Sequence, residues 1–121
     1  MEALYAEWKD RAEFLTVYIS EAHPRDGWRQ NDPKWDVQQP TTTEQRLSVA
    51  RDWIADLQPS IPYVVDPIED TARLAFAAVP ERLYILEAGE VKYQGGQGPF
   101  GYHPEEVESW LQQRFHAAAK L

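Results

Sequence analysis

The sequence predicts one α/β domain in which parallel strands joined by helices are closed by an antiparallel hairpin and a last helix. Three observations predict it. Residues 14–20, FLTVYIS, and 61–66, IPYVVD, are short β-branched and aromatic runs. Between them Leu47, Ala50, Trp53, Ile54 and Leu57 recur at helical spacing, as a parallel crossover requires. Residues 82–87 and 90–94 flank Ala88-Gly89, a two-residue hairpin signal.

Each element has a local reason. Leu4, Tyr5, Trp8 and Ala12 predict a first helix over 2–12. The strand 14–20 carries Leu15, Val17, Tyr18 and Ile19 on both faces, the pattern of a strand covered on both sides. His23-Pro24 ends it, because proline cannot donate to a ladder and restricts its predecessor. Residues 24–40 are polar, with Pro24, Pro33 and Pro40 around Trp28 and Trp35, and read as a long functional loop. Thr41 as N-cap with Glu44 three residues on fits a capping box for the crossover helix, which Pro59 stops. Residues 68–78 predict a short helix with Ala72, Ala75 and Phe76 inward. After the hairpin comes a glycine-rich loop, 95–101, GGQGPFG. The last helix starts at Pro104 and turns Val107, Trp110, Leu111 and Phe115 inward. The order matches a thioredoxin-like mixed sheet with flanking helices. That fold opens with a strand, whereas here a helix comes first.

The totals bound the function. A chain of 121 residues is one domain, 1–121, and 43% hydrophobic residues supply a core. A formal charge of −8, from 20 acidic against 12 basic residues, repels phosphate backbones and argues against a nucleic-acid partner. No basic amphipathic face favours a membrane surface. No apolar run approaches the ~18 residues of a membrane span. The start, MEALYAEWKD, has no signal-peptide pattern, so a cytoplasmic location is expected. There is no cysteine, which removes disulfides, thiolate metal ligation and a cysteine nucleophile from these residues.

In open α/β sheets ligands sit beyond the carboxyl ends of the parallel strands. Tyr18, Glu21 and His23 lie at the end of one strand. An antiparallel hairpin would bring Pro80, Arg82 and the loop 95–101 to the same rim. Glu21 and His23, two apart, share a side in extended backbone, and a carboxylate beside a His makes a proton relay near neutral pH. The alternative is an exposed Glu and a loop-capping His. Tyr18 is a core residue or a proton donor. Arg82 holds an anionic or phenolic group, or else an ion pair with Glu81 or Asp66. The loop GGQGPFG follows a hairpin strand and has no phosphate-loop Lys, so it reads as a tight turn that lets backbone approach a ligand. His103 and His116 read as helix-end and surface residues, and no metal site is expected.

Two motifs are specific. One is Y-I-x-E-A-H-P-x-D-G-W over 18–28; the other is E-R-L-Y over 81–84 followed by Y-x-G-G-x-G-P-x-G-Y over 93–102. With them the chain resembles the iodothyronine deiodinase family and its bacterial deiodinase-like relatives, from about Leu4 to Leu111. The resemblance implies a thioredoxin-like, peroxiredoxin-related fold and an oxidoreductase that removes iodide reductively. It implies no bound cofactor, an external thiol reductant, and a phenolic, halogenated aromatic or peroxide substrate. Tyr18, Glu21 and His23 match the family's proton-transfer positions. Arg82 matches a substrate contact, with Pro80, Gly95, Gly96 and Phe100 on the same substrate-holding side. Pro40 or a neighbour stands where the family has a second His.

The family's nucleophile is a selenocysteine, or a cysteine in some bacterial members, in a Ser/Thr-rich turn after the first strand. No such turn occurs here, and the residues as given are expected to be inactive alone. In that fold the first strand lies between strands 14–20 and 82–87. Without it these two pair directly, or a second copy covers the edges as a homodimer, or the chain is a fragment of a selenoprotein-related gene product. The rival reading is a non-catalytic thioredoxin-like binding or scaffold module.

Overall fold

The computed structural model describes residues 1–21 and 38–119. The elements run α1 (Glu2–Trp8), β1 (Thr16–Tyr18), α2 (Thr43–Leu57), β2 (Tyr63–Val65), α3 (Thr71–Phe76), β3 (Tyr84–Glu87), β4 (Glu90–Gln94) and α4 (Pro104–Ala119). This is the α/β order expected. The sheet differs: among the described residues it is two two-stranded ladders, β1–β2 and β3–β4, rather than one mixed sheet. The chain forms two compact units, Phe14–Pro80 and the pair of segments Met1–Glu13 and Glu81–Leu121.

In the unit Phe14–Pro80, β1 and β2 run parallel with Val17 opposite Val64 and Tyr18 opposite Val65. The ladder is framed by Thr16 N–H donating to Pro62 O (2.9 Å) and Asp66 N–H donating to Tyr18 O (2.8 Å). Each strand has three residues, shorter than the apolar runs that predict them. Val17 is 37% exposed and Leu15, just before the strand, 61%, so β1 is not covered on both faces as its composition suggests. Apolar alternation reports what a strand could bury, not which neighbours it has.

The helix α2 begins one residue later than the capping box predicts. Thr42 is the N-cap, in extended conformation, and its Oγ1 accepts from Gln45 N–H at 3.1 Å. Gln45 in turn reaches back, its Oε1 accepting from Thr41 N–H (2.8 Å) and from the Thr41 hydroxyl (3.0 Å). Three successive threonines offer three registers, and the carboxamide at 45 fits the second. Gln58, left-handed at φ 47°, ends the helix before Pro59. Along the inner face Ala50 is buried and Leu47, Trp53 and Ile54 are half-buried. Leu57, expected inward, is 52% exposed. The side chain most completely enclosed on α2 besides Ala50 is Arg46, at 2%. The helix α3 is six residues, bracketed by left-handed Asp70 (φ 59°) and Ala77 (φ 49°), and its Ala75 is exposed rather than inward.

In the other unit, Ala88 (φ 54°) and Gly89 (φ 77°) make the two-residue turn between β3 and β4. Both positions need the left-handed region, which matches the right-handed twist of the flanking strands. A bulge lies at Ile85/Leu86. The apolar stripe of α4 buries Val107 and Leu111, and α1 buries Leu4 and Trp8. Each such side chain contributes roughly 1.5–3 kcal/mol by leaving water. The Trp8 ring stands 6.0 Å from Phe115 and 5.7 Å from His116. The helix α1 stops at Trp8, short of the expected residue 12, and Arg11 N–H and Ala12 N–H share Trp8 O in the turn that follows it. Glu105 and Glu106 occupy the first turn of α4, where negative charge favours the helix dipole.

Candidate functional site

Tyr18 is the last residue of β1, and its carbonyl is taken by the end of the ladder. Its ring tilts against Trp53, centroids 5.7 Å apart. Its hydroxyl donates to Glu21 Oε1. Burial pushes the phenol well above its ordinary range, and the hydrogen bond and negative charge of Glu21 push it further; Arg46 opposes them. A phenol so placed stays protonated at neutral pH and holds its proton against a carboxylate. Spacing coupled Glu21 with His23, but the described partner of Glu21 is Tyr18. Strict alternation would put 18 and 21 on opposite faces. The strand ends at Tyr18, the chain turns, and alternation no longer applies. His23 lies outside the described residues, as does the motif from Ala22 to Trp28.

Beyond the ladder Glu21 is held by a side chain. Its N–H donates to Gln39 Oε1 and its carbonyl accepts from Gln39 Nε2, both at 3.0 Å. Gln39 also lines a polar cleft of about 290 Å³ with Ser20, Pro40, Arg46, Ile68, Asp70 and Arg73. Under this cleft Arg46 donates from Nη1 to Asp66 O (3.0 Å) and Pro67 O (2.8 Å), and from Nη2 to Asp70 Oδ1 (2.9 Å). Asp70 also pairs with Arg73 at 3.0 Å. Burial raises the Asp70 carboxyl, but hydrogen bonds from the two guanidiniums outweigh it and hold the group below its ordinary value. Asp66, 1% exposed, accepts Ala72 N–H (2.8 Å) and Arg73 N–H (3.0 Å) at the start of α3.

Pro80 closes the unit Phe14–Pro80, and the Val79-Pro80 peptide is cis. The other predicted residues belong to the second unit. Arg82 Nε donates to Gly95 O at 2.6 Å, and its guanidinium lies 5.4 Å over the Tyr84 ring. The loop 95–101 is fastened to the strand entrance by Gly95 N–H to Leu83 O and Gly98 N–H to Glu81 O, both 2.9 Å. It is also closed on itself by Gly101 N–H to Gln97 O. A Cβ at Gly101 would come within 2.6 Å of Gly96 C, so only glycine lets the two stretches of backbone touch. At the tip of this fixed loop Phe100 is 92% exposed. Burial and the charge of Glu81 raise the Tyr102 phenol.

Thus Tyr18 and Glu21 meet in one unit, and Arg82 meets Gly95 in the other. Sequence reasoning missed Gln39, Arg46, Asp66 and Asp70. Among the described residues no group of three His, Cys, Asp or Glu is arranged to hold a metal, and no helix is long and apolar enough to cross a membrane.

Comparison with known proteins is consistent across the chain. The family model described as iodothyronine deiodinase matches residues 1–115. A thyroxine 5-deiodinase of Sparus aurata is 39% identical over 112 residues, 93% of this chain and 42% of that protein. The Gallus gallus protein of the same name is 39% identical over 110 residues, 91% and 42% of the two chains. The Homo sapiens one is 36% identical over 111 residues, 92% and 36%. The chain therefore spans about two-fifths of the length of these relatives.

Proposed function

The chain belongs to the iodothyronine deiodinase family, and on that premise we propose that it forms the proton-handling and substrate-holding part of a thiol- or selenol-dependent reductive dehalogenase. The observation that carries this is the half-buried Tyr18 hydroxyl donating to Glu21, a proton held beside a carboxylate at a strand end. The relatives are named for acting on thyroxine, and the substrate class proposed here is a halogenated phenol. A thioredoxin-like fold belongs to the same proposal, supported by the β1–α2–β2 parallel crossover in one unit and the hairpin followed by α4 in the other.

The chemistry divides between the chain and its reductant. A selenolate or thiolate takes the iodine, so the carbon–iodine bond breaks and a chalcogen–iodine bond forms. The bonding pair stays on the ring carbon, which takes a proton. An external thiol then displaces iodide at the chalcogen, and a second thiol restores the selenolate or thiolate as a disulfide leaves. With no cysteine in its 121 residues, the chain supplies neither thiolate. Its part is the proton, through Tyr18, Glu21 and His23, and the grip on substrate. Arg82, the backbone of Gly95 and Gly96, and the exposed Phe100 ring, all of one unit, provide that grip. A preorganised donor of this kind contributes typically ~10²–10⁴-fold in rate.

Iodide release from an iodinated phenol tests the proposal. With a dithiol alone the chain releases nothing above blank. With a small selenol added, it exceeds the selenol-only blank, and Tyr18→Phe removes the excess. Release with dithiol alone, or no excess with selenol, overturns the reading. The absence of cysteine also suits a non-catalytic binding module; that reading gains if the chain binds the iodinated phenol but never accelerates its loss of iodide.

A further inference from the structure

The side chain of Gln39 stands where a residue of a neighbouring strand would stand. The β1–β2 ladder ends at Tyr18, whose carbonyl takes the last bond from Asp66 N–H. Glu21 lies three residues further on, beyond any β2 partner. Its backbone N–H and carbonyl are nevertheless both engaged, by the two ends of one carboxamide, at 3.0 Å each. A primary carboxamide presents its C=O and one N–H on the same side, as a residue of an antiparallel strand presents its own C=O and N–H, so the pair is a one-residue rung of ladder made by a side chain. The two residues are 18 apart in sequence, so no local turn preference imposes the contact.

We propose that Gln39 is a positioning residue for the Tyr18–Glu21 pair. With both backbone groups of Glu21 fixed, rotation about its φ and ψ is blocked, and the side chain leaves the chain in one direction. That direction brings Oε1 to the Tyr18 hydroxyl. Released from Gln39, the Glu21 backbone hydrogen-bonds to water instead, and the carboxylate samples other directions at little enthalpic cost. The phenol then loses the partner that helps raise it. Gln39 touches neither reacting atom; it acts through Glu21. Among the described residues the charged groups acting on the phenol are Glu21 from its own segment and Arg46 from α2, and of these only Glu21 changes when Gln39 is replaced by Met.

The inference rests on reading Tyr18 and Glu21 as the proton-handling pair, yet its test needs no turnover. In proton NMR of the chain at neutral pH, a phenol hydroxyl held by a carboxylate exchanges slowly and appears downfield; loss of the signal in Tyr18→Phe assigns it. Gln39→Met keeps the side chain's length and removes both hydrogen bonds. The expected result is loss of the Tyr18 hydroxyl signal into water exchange and a fall in the phenol's alkaline titration midpoint, the same direction as expected for Glu21→Ala. Gln38→Met, the same change at the exposed neighbouring position, leaves both unmoved. Gln39→Glu keeps an acceptor for Glu21 N–H but no donor for its carbonyl, and gives an intermediate exchange rate. A Gln39→Met chain that keeps the hydroxyl signal and midpoint of the parent overturns the proposal. So does one in which Gln38→Met has the same effect. Should Gln39→Met fail to fold, Gln39→Glu decides by the same two readouts. Iodide release plays no part, so failure of the proposed reaction and failure of this inference are told apart.

Discussion

Replacing Arg46 by Met should destabilise the unit Phe14–Pro80 far more than a change on a helix surface would. Arg46 is 2% exposed, and its guanidinium supplies hydrogen bonds to Asp66 O, Pro67 O and Asp70 Oδ1 at 2.8–3.0 Å. Met fills a similar volume and returns no donor. The two carbonyls lose an acceptor's partner, at ~1–3 kcal/mol for each that water does not reach. Asp70 keeps Arg73 and is not orphaned. Removing one partner of a buried pair typically costs ~3–5 kcal/mol, and the surviving Asp70–Arg73 contact places this case in the lower half of that range. Urea titration followed by far-ultraviolet circular dichroism reads the effect. With a slope of ~1–3 kcal/mol per molar urea, the midpoint falls by roughly 1–4 M. A double-mutant cycle with Asp70→Ala should return a coupling of ~0.5–3 kcal/mol. A midpoint shift under ~0.5 M with an unchanged slope would mean that the guanidinium contributes no more than an ordinary surface residue, and the reasoning fails.

Other perturbations follow from the same network and from the loop. Because Asp70 is depressed in the folded chain, its contribution is present above its unfolded pKa and lost as pH falls through the folded value. The urea midpoint should therefore drop as pH goes below ~4, and Asp70→Asn should remove that part of the slope. Thr42→Ala should cost ~1 kcal/mol through the lost cap on Gln45 N–H, whereas Thr41→Ala, whose position the sequence favours as the cap, should cost less. Gly101→Ala forces backbone apart at 96 and 97 and should cost ~1–3 kcal/mol in a thermal melt; Gly98→Ala meets the side chain of Glu81 rather than backbone and should cost less. Phe100→Ser should leave stability within ~0.5 kcal/mol, since the ring is 92% exposed, while weakening iodinated-phenol binding in a fluorescence titration.

Much of the fold is legible because it depends on short-range rules. The stripe Val107, Trp110, Leu111 and Phe115 predicts both α4 and its inward face. Ala88-Gly89 predicts a two-residue turn, since few pairs tolerate two left-handed residues. The cap of α2 is off by one because three threonines make a local rule degenerate. What is not legible depends on partners far away in sequence. Arg46 looks like the polar face of α2, and only the carbonyls at 66 and 67 make it an inward residue. Gln39 has no signal at all until Glu21 is placed beside it. In the site, the motif finds Tyr18 and Glu21, but periodicity does not predict their contact, because periodicity ends where the strand ends.

These misses share a physical cause. The strands of the unit Phe14–Pro80 are three residues each, so most of its peptide groups cannot be paired by a ladder. Side chains take the peptide's part instead. The Gln39 carboxamide pairs Glu21, the Asp66 carboxylate pairs the first amides of α3, and the Arg46 guanidinium pairs the carbonyls that lead into it. The largest side chains fully removed from water in the described chain are accordingly Arg46 and Asp66, not apolar ones. Buried polar groups cost little only while every partner is present, so such a unit is geometrically exacting at a few polar positions. It is correspondingly tolerant at apolar ones such as Leu57 and Leu74, which are 52% and 66% exposed. The Tyr18–Glu21 pair sits at the end of this polar scaffold. Substitutions that disturb its geometry should therefore be found at Gln39, where the scaffold touches it, before they are found among the leucines.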